Sequence, residues 1–168
     1  VGALLKAQGQ IDMVIPRGGK SLVARVQDEA RVPVLAHLDG ICHTYIHAKA
    51  DPAMAEAIAV NAKMRRTGIC GSTETLLIDQ DYPEPARLIG ALLDAGCEVR
   101  ADDTLMELDA RTVPAEEADW GTEYLDSIVS AKMVSGVDEA IEHIARYGSQ
   151  HTESIITNDE AAAADFLS

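Results

Sequence analysis

The sequence predicts an α/β protein, a three-layer αβα arrangement around a mainly parallel sheet. Short apolar runs rich in β-branched residues alternate with stretches of helical spacing, and Gly, Pro or Asp punctuates the joins. Size and makeup agree: 168 residues, 47% hydrophobic and 25% charged, suffice for a buried core under a solvated surface. Aromatic residues are only 4% of the chain, so that core must rest on Ala, Val, Ile and Leu.

Taken in order, Ile11–Ile15 is a short apolar run closed by Pro16 and Gly18-Gly19, and reads as a strand. Ser21 to Arg31 reads as a helix, with Leu22, Val23, Val26 and Ala30 on one face. Val32–Ala36 reads as a buried strand, and Thr44-Tyr45-Ile46 as another. Asp51-Pro52 starts a helix, Asp as N-cap and Pro in the first turn, with Met54, Ile58 and Ala62 as its inner face. Thr75–Ile78 is a strand, Pro85–Ala95 a helix stopped by Gly96, and Cys97–Arg100 the strand after it. Pro114 to Gly121 reads as an acidic loop, and Ser127–Val134 as a strand. Asp138–Tyr147 is a helix with Ala140, Ile141 and Ile144 inward, ended by Gly148. Ser154–Thr157 and Asp159–Leu167 are the last strand and helix.

The 28 acidic and 14 basic residues leave a formal net charge of −14. That argues against a nucleic-acid surface or an anionic-membrane binder, both of which need a basic footprint. No stretch approaches the roughly 18 apolar residues of a membrane helix, and nothing resembles a signal peptide. Cys42, Cys70 and Cys97 are odd in number, widely spaced and without a CxxC. They are expected as reduced thiols in a cytoplasmic setting. A chain that opens on Val1 is expected to be an internal segment of a longer protein.

Two segments could carry chemistry. Arg17-Gly18-Gly19-Lys20-Ser21 joins a strand to a helix. Its glycines let backbone approach a ligand, and the helix start supplies free N–H groups for phosphate. The same residues also make an ordinary tight turn with two surface cations. In Asn61-Ala62-Lys63-Met64-Arg65-Arg66-Thr67-Gly68-Ile69-Cys70-Gly71, three cations fall within four positions, although one residue in twelve is basic overall. Cations near a thiol favour the nucleophilic thiolate, and small neighbours leave room for a substrate. The bland alternative is a helix C-terminus whose cations offset its dipole, followed by an inert Cys. Cys42 and Cys97 sit in strand-like contexts and read as small core residues. Cys42, His43 and His47 lack a fourth ligand and a standard spacing, so no metal site is expected. His37 is open between core and pocket, His143 is expected to face solvent, and His151 lies in a polar loop.

Several blocks, in order, carry a resemblance: Ile11-Asp12-Met13-Val14-Ile15-Pro16-Arg17-Gly18-Gly19; Gly40-Ile41-Cys42-His43; Asn61-Ala62-Lys63 leading to Cys70 and Glu74-Thr75-Leu76-Leu77; Asp119-Trp120 with Thr122–Asp126; and His151-Thr152-Glu153. Together they resemble the gamma-glutamyl phosphate reductase family, also called glutamate-5-semialdehyde dehydrogenase, of the aldehyde dehydrogenase superfamily. The likeness implies NADPH-dependent reduction of L-glutamyl 5-phosphate to glutamate 5-semialdehyde in proline biosynthesis, through a cysteine thioester. Cys70 matches the nucleophile. Arg17, Gly18, Gly19, Lys20 and Ser21 would lie near the dinucleotide, and Glu123 matches the acidic residue that holds the nicotinamide ribose. Asn61, Lys63, Arg65 and Arg66 are the substrate-binding candidates. Residues 1–43 would be the end of a dinucleotide-binding domain and 44–168 the catalytic domain, the completeness of its C-terminal end being left open. The full-length protein would be a homo-oligomer, and the segment alone inactive.

Val34 to Gly40 occupies the region where a hydrolytic member of the superfamily would place its general-base glutamate, and it contains none. That fits a reductase that must not hydrolyse its thioester. The family block usually carries Pro where Thr67 stands and Asn where Gly71 stands. Two other readings remain: a non-catalytic domain that binds an anion or a partner, and another aldehyde dehydrogenase.

Overall fold

The computed structural model describes residues 1–168, and the chain divides into two compact units, Val1–Asp39 and Gly40–Ser168.

The first unit is built on one helix, α1 (Lys20–Glu29), which buries Val23 and Val26. A 3-10 turn at Leu4–Lys6 adds the buried Leu5, whose carbonyl accepts from Arg31 N at 2.7 Å. The two strands expected here, Ile11–Ile15 and Val32–Ala36, shrink to a single parallel bridge between Val14 and Val34. Its hydrogen bonds run from Val14 N to Pro33 O and from Leu35 N to Val14 O. Pro33 donates nothing, and an isolated pair of strands is marginal without further partners. Ile15 and Leu35 are exposed within the unit, so neither run is the buried strand its apolarity suggested.

The second unit carries a six-stranded, all-parallel sheet. Its strands are β1 (Cys42–Ile46), β2 (Thr73–Asp79), β3 (Glu98–Ala101), β4 (Val113–Pro114), β5 (Ile128–Val134) and β6 (Glu153–Ile156). They lie in the order β4-β3-β5-β2-β1-β6. The helices are α2 (Pro52–Met64), α3 (Pro85–Asp94), a one-turn α4 (Asp103–Met106), α5 (Val137–Tyr147) and α6 (Glu160–Leu167). Side chains alternate along a strand, so β2 feeds two cores. Leu76 and Ile78 join Val99, Val129 and Ala131 under α2, α3 and α4. Leu77 joins Tyr45 and Val134 under Ala140 of α5, with Phe166 of α6 packed against them. This is the expected αβα layering. The acidic stretch after Thr112 is not all loop: Val113-Pro114 pairs as an edge strand beside β3, and Glu117–Gly121 is a 3-10 turn with a capping box.

Helix starts follow their caps. The Asp51 side chain accepts from Met54 N at 2.8 Å, with Pro52 in the first turn. Gly96 adopts φ +85 after α3, the left-handed residue that ends a helix most cheaply. Two faces differ from expectation. On α2 the buried stripe is Ala55, Ala59 and Lys63, while Met54 and Ile58 are 47% and 40% exposed. Alanines let the helix lie close to the sheet, and rotation by one position turns the larger side chains outward. On α5, Ile141 is exposed and His143 is buried, between the rings of Trp120 and Tyr147 and beside His43.

The buried His143 makes folding pH-dependent. Desolvation, then the neighbouring His43, holds its pKa down to about 3 against an ordinary 6.5. Between those values the unfolded chain binds one more proton than the folded one. Stability is therefore complete above about pH 6.5 and declines as pH falls towards 3. Denaturant titrations should show His143→Phe flattening that acid limb. Among core residues, Ile89→Ala should cost about 2–5 kcal/mol, whereas Met54→Ala should stay within about 0.5 kcal/mol.

Candidate active site

Four segments of the second unit meet at the amino edge of its sheet. Gly40-Ile41 leads into β1, Ile69–Ser72 into β2, Glu123–Leu125 precedes β5, and Ser149–Thr152 leads into β6. Cys70 sits in the second of these and is exposed. Its turn is held by Ser72, whose N–H donates to Ile69 O at 3.0 Å. The Ser72 hydroxyl donates to Lys63 O at 3.2 Å, which also occupies one of the unpaired carbonyls at the end of α2.

Beside the turn lies an open-sided cavity of about 350 Å³, lined by Asn61, Ala62, Arg65, Arg66, Ile69 and Gly71. Three of the four expected substrate-binding side chains are thus together, next to Cys70. The cavity lies at the C-terminal end of α2, where the helix dipole presents partial negative charge. Arg65 and Arg66 reverse that sign, which an anion needs. The dipole-offsetting reading and the anion-binding reading are therefore compatible.

Lys63 is the exception and corrects the expectation. Its ammonium is 0% exposed and donates to Glu74 Oε2 at 2.6 Å, with Glu74 equally buried. An ammonium already neutralised in the core cannot meet a substrate. Its partner is placed by an irregular register: Cys42 pairs with Thr73 and His43 with Thr75, so Glu74 is the extra residue of a bulge in β2. A bulge re-aims a side chain, and here the second carboxylate oxygen of Glu74 accepts from Leu125 N at 3.3 Å. Burial pushes the Glu74 carboxyl above its ordinary range, opposed by Lys63 and by the N–H groups of Leu125 and Tyr124. Leu125 itself has φ +54, a strained conformation for a branched side chain. Tyr124 is fixed alongside, donating to Asp119 at 2.8 Å and packing under Arg100.

Glu123 accepts from Gly40 N at 2.9 Å. Gly40 must be glycine because a Cβ there would fall 2.8 Å from the carbonyl carbon and Cα of Cys70. Cys42 and Cys97 are buried, and burial is the main cause that pushes each thiol up to about 11. Both are small core residues in setting, as expected. Glu74 and Gly40 were not among the expected site residues. The signal for Glu74 was a carboxylate near the start of an apolar strand, with Lys63 eleven residues upstream.

Arg17, Gly18, Gly19, Lys20 and Ser21 belong to the first unit. There Gly19 caps α1 without a side-chain hydrogen bond, leaving the first N–H groups of a ten-residue helix without a side-chain cap. No atom lies within 4 Å of where a Cβ of Gly19 would be, and Lys20 pairs with Asp39. Free N–H groups at such an end can bind an anion. No group of three or more His, Cys, Asp or Glu side chains is arranged to hold a metal ion, and no helix is long and apolar enough to cross a membrane.

No protein-family model matches the chain. Among curated proteins, gamma-glutamyl phosphate reductase of Rhizorhabdus wittichii is 64% identical over 167 residues, covering 99% of this chain and 39% of the relative. The crystal structure of gamma-glutamyl phosphate reductase from Thermotoga maritima superposes with a TM-score of 0.94 at 39% identity, covering 99% of this chain and 41% of that one. The chain matches one segment of gamma-glutamyl phosphate reductases, end to end. It spans about two-fifths of the length of those relatives. An acetylating aldehyde dehydrogenase from Geobacillus thermoglucosidasius, at 21% identity and a TM-score of 0.72, shows the same fold. The relatives are named as reductases or dehydrogenases, which are oxidoreductases.

The Lys63–Glu74 pair gives a direct test. Lys63→Met alone should destabilise by about 3–5 kcal/mol, because it strands a buried carboxylate. Combining it with Glu74→Leu should recover most of that loss in urea titrations. Equal destabilisation by the single and double variants would show that the pair is not coupled.

Proposed function

We propose that this segment is the catalytic portion of a gamma-glutamyl phosphate reductase, which reduces L-glutamyl 5-phosphate to L-glutamate 5-semialdehyde with NADPH and releases phosphate, in proline biosynthesis in the cytoplasm. The observation that carries the reading is an exposed Cys70 on a turn between glycines, whose neighbours Ile69 and Gly71 line a cavity together with two arginines. The likeness of nearly all of this chain to one segment of proteins of that name supports it.

The Cys70 thiolate attacks the acyl carbon of the acyl phosphate. A C–S bond forms, the C–O bond to phosphate breaks, and phosphate leaves with the bonding electron pair. Arg65 and Arg66 draw the doubly anionic substrate to the cavity and stabilise charge on the departing phosphate. Asn61 contributes amide contacts from the same wall. Lys63 takes no part in contact; it fixes the end of α2 from behind. Nicotinamide dinucleotide, when bound, supplies the hydride that turns the thioester into an aldehyde. Glu123 would hold its ribose, and Arg17, Gly18, Gly19, Lys20 and Ser21 its phosphates. Residues 1–43 are proposed as the end of the dinucleotide-binding domain and 44–168 as catalytic, in a protein that assembles as a homo-oligomer.

Cys70→Ser in the intact protein should lower reductase turnover more than about a thousandfold without loss of folding, measured by NADPH consumption. Retained turnover would overturn the mechanism. Iodoacetamide at neutral pH should label Cys70 well ahead of Cys42 and Cys97, and the reverse order would count against an accessible nucleophile. Arg65→Ala should lower kcat/KM for the acyl phosphate, through a higher KM and a lower kcat together.

A further inference from the structure

Cys42 has no role in the reaction described above, yet it touches the residue that does. It opens β1, is 2% exposed, and its Sγ donates to the Cys70 backbone carbonyl at 3.1 Å. Gly40, two residues earlier, is in backbone contact with the same peptide. The entry to β1 and the turn bearing Cys70 therefore lie one on the other, one cysteine buried beneath and one exposed above. His151 Nδ1 stands 3.6 Å from the Cys42 sulfur and also meets Thr152 Oγ1 at 2.9 Å.

We propose that Cys42 is a resolving thiol for Cys70: when a peroxide oxidises Cys70, Cys42 captures it as a reversible intramolecular disulfide. The proposal rests on Cys70 being the exposed, reactive cysteine of the preceding reading. In the first step the Cys70 thiolate attacks one peroxide oxygen, the O–O bond breaks, and sulfenic acid and hydroxide form. In the second, the Cys42 sulfur attacks the sulfenic sulfur, the S–O bond breaks, and the hydroxyl leaves as water with the proton from Cys42. Two thiols are oxidised by two electrons in all, and one peroxide is reduced to two waters. Burial, then the Glu153 carboxylate, pushes the Cys42 thiol up to about 11, so it stays protonated and is not the oxidant's first target. Disulfides join cysteines whose Cα atoms lie about 4.4–6.8 Å apart, so the exposed Cys70 Sγ has to turn inward onto the buried Cys42 Sγ for the bond to form. The bond would silence the nucleophile while sparing it from sulfinic acid, which thiol reductants do not reverse.

The test treats the intact protein with hydrogen peroxide and maps the cysteines by mass spectrometry. The expected product is a linked pair of peptides holding Cys42 and Cys70, two hydrogen atoms lighter than their sum. Dithiothreitol should then restore iodoacetamide labelling of Cys70. In Cys42→Ser, or Cys42→Ala if serine impairs folding, Cys70 should pass to sulfinic acid and its reducible fraction should be lost. Equal irreversible oxidation in the wild type and the variant would overturn the proposal, as would linkage of Cys70 to Cys97 or to a second chain. If Cys70 resists both iodoacetamide and peroxide, the reading of Cys70 as a reactive nucleophile fails as well. If it alkylates readily but never links to Cys42, only the resolving role fails.

Discussion

One buried ion pair organises the amino edge of the sheet. Lys63 and Glu74 sit in the core at 0% exposure, 2.6 Å apart. Between them they join the end of α2, the bulged start of β2 and, through Leu125 N, the loop before β5. Two charges out of water are tolerable only when each satisfies the other and the remaining lone pairs find donors. Here Glu74 meets an ammonium with one oxygen and a backbone N–H with the other, so the pair is satisfied in one geometry. That geometry sets where Arg65 and Arg66 emerge and where the Cys70 turn must begin.

The position of the cavity follows from this frame. Open parallel sheets usually take ligands beyond the carboxyl ends of their strands, where helix N-termini offer N–H groups to anions. The cavity beside Cys70 lies at the opposite edge, at the C-terminal end of α2. A helix end of that polarity repels anions, so affinity for an anion there has to come from side chains. Two consecutive arginines in a protein of net charge −14 are that local reversal.

Most of the architecture of residues 40–168 was legible from the sequence, because the longer strands carried apolar or β-branched residues and the longer helices a cap or a stop; the two-residue β4 and the one-turn α4 were too short to leave such a signal. Asp51, Gly96 and Gly148 marked boundaries that the structure keeps within a residue or two. The runs at Ile11–Ile15 and Val32–Ala36 misled because apolarity alone does not supply a neighbouring strand. The inner face of α2 misled for a different reason. Met54-Ile58-Ala62 and Ala55-Ala59-Lys63 share one helical spacing, and a lysine in the second stripe disguised it as the wet face. Only the position of Glu74, set by a bulge invisible in sequence, makes that lysine an interior residue. His143 was hidden similarly, since its burial depends on Trp120 and His43 arriving from distant segments.

The contact between Gly40 and the Cys70 peptide has a consequence for how this site can evolve. Backbone rests on backbone there, with no side chain between to adjust. A larger residue at either end of that contact would lift the thiol out of register with the arginines. A change in the cavity's size is therefore accommodated at its other wall, the last turn of α2 around Asn61 and Ala62, where it leaves the thiol's footing intact.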